Sequence, residues 1–430
     1  MNTFIVRKLT VAPVMRACSL RPAQHLSTWT ATQDASRVGS SYTEGDVWDH
    51  NYSLTEDGVV NSKLAFRNAK VSTVLNNLPA KAAGGMVDLK DINYTGKYDL
   101  VEAGDNLDHD KFDDVLEEQH DYLSADKTLF FEDFGLGASA SSRVGARMIS
   151  ENPAHALIFR SLMIPIPPRP TDHRARYNGW NLDARWEVAE YNWTGTEYDF
   201  VREQVVPRRG ERPVIAFLGG ASKDTVALQF AQQTGKAEGI AGANIVAGGN
   251  ASVRGVVEAY GQAAAAMLNE EVEQSVTIPS VTSSKGGKTT LFAGNFSDGF
   301  VNKVNAKGSL YGAYYNTISA DGVSAVFGGF IGPAKSVPTA ATASFAAQTS
   351  PVVVSGDVST VSLSPDNSVA SPTSVVFVDS SASSMTLDAA ATRLAESCGE
   401  EAKADVAKAL LGGAKLIVVK SEKEAEAHIL

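Results

Sequence analysis

Val214-Ile215-Ala216-Phe217-Leu218-Gly219-Gly220 and Ile240-Ala241-Gly242-Ala243-Asn244-Ile245-Val246-Ala247-Gly248-Gly249 are the stretches that decide the fold class. Each is a short apolar run that stops at paired glycines, and each is expected to lead into a helix. Strand, glycine turn and helix together form the unit of an α/β sheet, and the repetition predicts that class rather than an all-β one.

Upstream, Phe112, Val115, Leu116, Gln119 and Leu123 recur at helical spacing, and Thr128-Leu129-Phe130-Phe131 reads as a buried strand. Val144 to Ile149 predicts a second strand, and Pro153 opens a helix over Ala154–Met163 that the Pro165-Ile166-Pro167-Pro168 run stops. Residues 34–110 read as irregular structure with a few strands, and the aromatic stretch 177–200 as a surface loop system. Downstream, residues 276–379 are rich in Val, Ser, Thr, Gly and Phe, which favours strands joined by tight turns. The chain then closes on a helix around 386–411, a strand Lys415–Val419 and a charged tail.

Composition narrows the function classes. The chain has 430 residues, 43% of them hydrophobic and 20% charged, as in ordinary globular proteins. Its net charge of −11 argues against a general nucleic-acid binder, which needs a basic face for phosphates. The Ala-rich run 259–268 lies between Glu258 and Glu270 and is too short for a membrane span, so no transmembrane segment of its own is expected. Cys18 and Cys398 stand far apart and suggest neither a disulfide framework nor a zinc site. Residues 1–33 carry Arg7, Lys8, Arg16 and Arg21 with no acid before Asp34, the composition of a mitochondrial targeting segment.

Lys285-Gly286-Gly287-Lys288-Thr289-Thr290 is the strongest chemical motif. A phosphate loop works through backbone N–H groups curled at a helix N-terminus, with Lys on the terminal phosphates and Thr on the metal. Gly286, Gly287, Lys288, Thr289 and Thr290 are therefore the candidate nucleotide-binding residues. Thr282 and Lys285 stand where such a loop wants glycine. The acidic run from Asp99 to Glu118 lacks calcium-loop spacing and reads as a solvated face. His155 reads as a packed histidine.

Several collinear segments resemble the ATP-dependent phosphoenolpyruvate carboxykinases, particularly their euglenozoan and plant members. They are residues 112–168 (Lys127-Thr128-Leu129-Phe130-Phe131, Arg143-Val144, Arg147, His155 to Ile164), residues 239–268, Asp321-Gly322-Val323 with Gly328-Gly329, and Ser371 to Asp379. The resemblance implies a two-domain α/β fold with mixed sheets, divided into a targeting segment 1–33, an N-terminal domain 34–210, a degenerate nucleotide-binding-like domain 211–400 and a C-terminal tail 401–430.

The resemblance also implies that the family's chemistry is missing. The metal-binding acidic motif falls on Ala313, Tyr314, Tyr315 and Asn316. The metal-binding lysine and histidine positions fall within Asn250–Arg254 and Met267–Glu271, and the substrate-binding arginine falls on Gly84. No catalytic residue, no metal and no cofactor beyond residual ATP are then expected. The implied function is an inactive accessory subunit of a mitochondrial inner-membrane complex, an ATP synthase or a respiratory complex, at the matrix face and held by protein partners. An active divergent carboxykinase and an ATP-binding regulatory subunit are the alternatives.

Residues 1–33 should suffice to carry a fluorescent reporter into mitochondria, scored by colocalisation with a matrix marker. A reporter that stays cytosolic in a host able to read such signals contradicts the targeting assignment.

Overall fold

The computed structural model describes, with a few short breaks, residues 54–165, 188–204, 214–333 and 352–430. The targeting segment, Ala80–Gly84, Tyr177, Trp180 and Trp186 lie outside the described residues.

An eight-stranded mixed sheet carries β1 (Ala65–Arg67), β4 (Leu129–Leu136), β5 (Val144–Ser150), β9 (Val214–Leu218), β11 (Gly239–Ala247), β10 (Thr225–Gln233) and β3 (Asp99–Glu102) in that spatial order. β6 (Ile164–Pro165) pairs with β4 off this path. β5, β9 and β11 are mutually parallel, whereas β4 and β10 run antiparallel to them.

A seven-stranded sheet orders β16 (Gly322–Ala325), β15 (Tyr315–Ser319), β12 (Ser275–Lys285), β13 (Lys288–Ala293), β20 (Ser374–Val378) and β21 (Lys415–Val419), with β14 (Leu310–Gly312) on β12. A four-stranded sheet joins β17 (Gly329–Pro333), β19 (Val358–Ser362), β18 (Val352–Ser355) and β2 (Met86–Asp88). β7 (Val188–Trp193) and β8 (Tyr198–Gln204) form a hairpin, so part of the aromatic stretch expected to be loop is paired strand. The helices are α1 (Val71–Asn77), α2 (His109–Ser124), α3 (Pro153–Leu162), α4 (Val253–Glu271), α5 (Asp298–Ala306), α6 (Leu387–Ser397), α7 (Ala404–Leu411) and α8 (Glu422–Ala425).

The α/β class holds, and the layering explains why the strands read as continuous apolar runs. In β9, Phe217 faces a cluster with Leu123 of α2, while Ala216 and Leu218 face the central core. In β20, Val375 and Phe377 face α6 and α7, while Val376 faces that same central core. Alternate residues thus meet different helix layers, and period two disappears from the hydropathy because both faces are dry. Between the two large sheets lies α4, which packs on β9, β10 and β11 of one and on β12 of the other. Val256, Val257, Tyr260, Ala263, Ala264, Met267 and Leu268 are buried around nearly its whole circumference, as expected of a helix buried on all sides.

Several expectations are corrected. Only the second glycine-terminated run leads into a helix. Gly219-Gly220 is followed by β10, whose Val226 and Leu228 face the central core and whose Ala227 faces the opposite side. The boundary at 210 falls inside one sheet, since β9 pairs in parallel with β5 through Ala146↔Val214 to Ser150↔Leu218. The segment 401–430 is not a tail, because β21 pairs along its whole length with β20. The closing helix is two helices, α6 and α7, separated by a 3-10 turn at Glu401–Lys403. Residues 34–110 include α1 as well as strands.

Other expectations hold. Asn152 caps α3 and Pro153 fills its first turn. Asp110, Asp113, Asp114, Glu117 and Glu118 lie on the exposed face of α2. His155 is buried, its Nδ1 lies 2.8 Å from Ser150 Oγ, and burial pushes its pKa down to about 4.

Glycine matters on α4 where a neighbouring ring approaches: a Cβ at Gly261 would lie 2.3 Å from the Tyr315 ring. Gly261→Ala should therefore destabilise the protein by about 1–3 kcal/mol, the cost of overpacking, despite the better helix propensity of alanine. Gly413→Ala, whose Cβ would meet nothing within 4 Å, should be neutral or slightly stabilising. Urea unfolding of the two variants checks this pair, and an unaffected Gly261→Ala contradicts the packing.

Candidate functional site

The candidate nucleotide residues do not form a phosphate loop. Lys285 and Lys288 pair across β12 and β13, and Gly286 and Gly287 close a two-residue hairpin with φ of +59° and +75°. Positive φ at both central positions marks the turn that matches strand twist, which explains the two glycines. The turn leads into strand β13, so no helix N-terminus faces the loop. Thr289 is buried, with its carbonyl accepting from the Thr373 amide, and Thr290 Oγ1 lies 2.9 Å from Ser374 Oγ. Both threonines are committed to the sheet, while Lys288 is exposed at the hairpin tip.

The strand, paired glycines and helix of a phosphate site do occur at β11, Gly248-Gly249 and α4. The start of α4 is occupied by the chain itself: the Val253 and Arg254 amides donate to the carbonyls of Asn93 and Tyr94 at 2.9 and 3.0 Å. The donors an anion would use are thereby satisfied.

Arg254, Tyr314 and Tyr315, which the sequence places in or near the expected cleft, converge on one buried polar network. Arg254 donates to Glu258 Oε2 at 3.0 Å, lies 3.6 Å from Asp298 Oδ1 and stacks 4.0 Å above the Tyr314 ring. Tyr315 donates its hydroxyl to Glu258 Oε1 at 2.7 Å. Burial, and then the neighbouring Glu258, hold the Tyr315 pKa well above its usual value, so Tyr315 is a donor throughout the physiological range. The Tyr314 hydroxyl accepts from the Ile331 amide at 2.9 Å and hydrogen-bonds Asp298.

Tyr314 occupies a left-handed backbone conformation with φ of +69°. A bulky residue there carries strain of about 1–3 kcal/mol, held by surrounding contacts. Asn316 donates to the Ser280 carbonyl, and Ala313 is fully buried. The residues that the resemblance sets at a metal-binding motif are thus core, and the chain buries both Tyr314 and Tyr315. Within the aromatic stretch 177–200, Tyr191 and Trp193 lie on β7.

Glu258 also faces a cleft of about 1100 Å³ between the two large sheets. α4 lines one wall with Glu258, Gln262, Ala265, Ala266, Asn269 and Glu270, and Lys403 and Val406 line another. Composition gives no signal for this cleft, because its lining comes from segments far apart in sequence. The i, i+4 spacing of Glu258, Gln262 and Ala266 is visible, although the apolar alanines around them read as core.

No protein-family model matches the chain, and no curated protein matches it. No group of His, Cys, Asp or Glu side chains among the described residues is arranged to hold a metal ion. No helix among the described residues is long and apolar enough to cross a membrane.

Burial raises the Asp298 carboxyl above its usual range, with Arg254 and Tyr314 pulling the other way. The folded chain therefore holds a proton there more readily than the unfolded one, and stability is lost as pH rises through the folded pKa. Removing Arg254 leaves Glu258 and Asp298 without their cation. Arg254→Met should cost on the order of 3–5 kcal/mol at pH 8 and less at pH 5, where protonation of Asp298 relieves one unpaired charge. Denaturant titrations at the two pH values measure this, and an equal loss at both contradicts the assignment.

Proposed function

We propose that the chain is a catalytically inactive, carboxykinase-like accessory subunit, held by protein partners in a mitochondrial inner-membrane assembly such as an ATP synthase or a respiratory complex, on its matrix side. The observation that carries this reading is the hairpin at Lys285–Thr290. In a carboxykinase that segment must curl its amides around phosphates; here it is a two-residue turn between paired strands, and its threonines are committed to the sheet. Phosphoryl transfer depends on positioning and charge neutralisation by cations acting together. Tyr314 and Tyr315 packed into the core at the position of the acidic motif supply neither. A fold without its site still presents surface, and binding is the role left to it.

Two measurements test the proposal. The purified protein should show no oxaloacetate decarboxylation or phosphoenolpyruvate carboxylation above a blank with ATP and manganese; turnover that Lys288→Ala abolishes overturns the inactive reading. The endogenous protein should co-migrate with a large complex on a native gel after mild detergent extraction, and Trp186→Ala or Trp193→Ala should each weaken that association by about 2 kcal/mol, the scale of an interface hot spot. A protein that migrates as a free monomer overturns the accessory-subunit reading.

A further inference from the structure

The inter-sheet cleft has a shape and charge pattern that the accessory-subunit reading does not use. Its α4 wall runs from Glu258 to Glu270, twelve helical steps, or about 18 Å at a rise of about 1.5 Å per residue. The middle of that wall is small and apolar, Ala265 and Ala266, with the Gln262 amide between them and Glu258.

On the α4 side charge sits at the two ends, and Glu102 adds a carboxylate to the lining from β3. At one end Arg254 is shared by two carboxylates, Glu258 and Asp298, which leaves one negative charge in excess. At the other end Glu270 and Glu273 face a single lysine, Lys403, whose ammonium donates to the carbonyls of Val272 and Glu273 at 2.9 and 3.3 Å and forms no ion pair with either carboxylate. That end also carries one negative charge in excess. The carboxylates are spread along the groove, and no such group among the described residues is placed to share a metal ion.

A pocket of this volume suits a small organic ligand. Excess negative charge at the two ends of the α4 wall, with Glu102 and the Gln262 amide also lining the cleft, selects a molecule with terminal ammoniums and further amines between them on a flexible aliphatic body. We propose that this cleft is a binding site for a long linear polyamine lying along α4, one terminal ammonium on Glu258 and the other on the Glu270 and Glu273 carboxylates. Each oxygen of Glu258 accepts one hydrogen bond within the protein, and a carboxylate oxygen has lone-pair capacity for a second. Glu258 lines the cleft, and the ammonium would meet it there. Small alanines at 265 and 266 leave the methylene chain its room.

The test is calorimetric titration of the full chain with spermine and with putrescine, which is too short to reach both ends. Spermine should bind with one-to-one stoichiometry and at least about tenfold more tightly than putrescine. Gln262→Lys places a competing cation in the middle of the groove at a side chain that is only half-buried, and should weaken spermine at least about tenfold while leaving the melting temperature unchanged. Glu273→Gln, at an exposed position, should weaken it several-fold. The proposal is overturned by the absence of spermine binding, by several weak equivalents that Gln262→Lys leaves unchanged, or by oligolysine binding in preference to spermine. The first two would mark diffuse attraction to an acidic chain, and the third a protein partner.

Discussion

The fold depends on one helix packed between two sheets. α4 has a sheet above and a sheet below, and its burial is what joins the two sheets into a single core. Such a helix keeps polar side chains to the strip that lines the cleft, Glu258, Gln262, Asn269 and Glu270, which explains the run of Ala, Val, Met and Leu elsewhere between Val253 and Leu268. It also explains the glycines. Gly261 lets Tyr315 of the second sheet approach the helix, and Gly255 does the same for Tyr98, whose ring would lie 2.7 Å from a Cβ there. Alanine is the better helix former by up to about 1 kcal/mol, so glycine at these positions reflects sheet-to-helix distance rather than helix stability.

Burying a helix so completely forces its polar residues to find partners within the protein. Tyr260 donates to the Arg147 carbonyl in the first sheet at 2.7 Å. Arg147 is itself buried, with Asp133 and Asp57 as carboxylate partners at 2.7 and 2.6 Å. On the other side Asn269 donates to the Thr277 carbonyl and accepts from its amide, tying α4 to β12. Each of these groups would cost several kcal/mol if left unpaired in a dry layer. The polar contacts therefore fix the rotation of α4 between its sheets, while the apolar ones supply most of the favourable free energy.

The legibility of the sequence reflects this layering. Apolar runs such as Val214–Leu218 and Val375–Phe377 are legible because a strand dry on both faces leaves no polar gap, and α3 is legible because Asn152 and Pro153 act through local chemistry. The hairpin at Gly286-Gly287 reads as a phosphate loop for a physical reason: two glycines before Lys-Thr suit both that loop and a tight turn, and only the next element decides between them. Thr289-Thr290-Leu291-Phe292 is β-branched and apolar, and taken alone it favours the strand. The same holds at Gly219-Gly220, where the alternation of Val226 and Leu228 outweighs the expectation of a repeated unit. The polar network is not legible, because Arg254, Asp298 and Tyr314 meet only after α4, α5 and the turn before β15 are placed together.

That meeting bears on what the cleft can do. Glu258 belongs at once to the buried network and to the cleft wall, so a charge arriving in the cleft is felt by Arg254, and through it by Asp298 at the first residue of α5 and by Tyr314. Tyr314 is held in a strained backbone conformation by the Ile331 amide, the Asp298 carboxyl and the Arg254 guanidinium. Strain of this kind persists only while its restraints remain in place. The turn at 313–315, which meets the edge of the four-stranded sheet through Ile331, is thus linked to the cleft wall by contiguous contacts through Tyr314, Arg254 and Glu258.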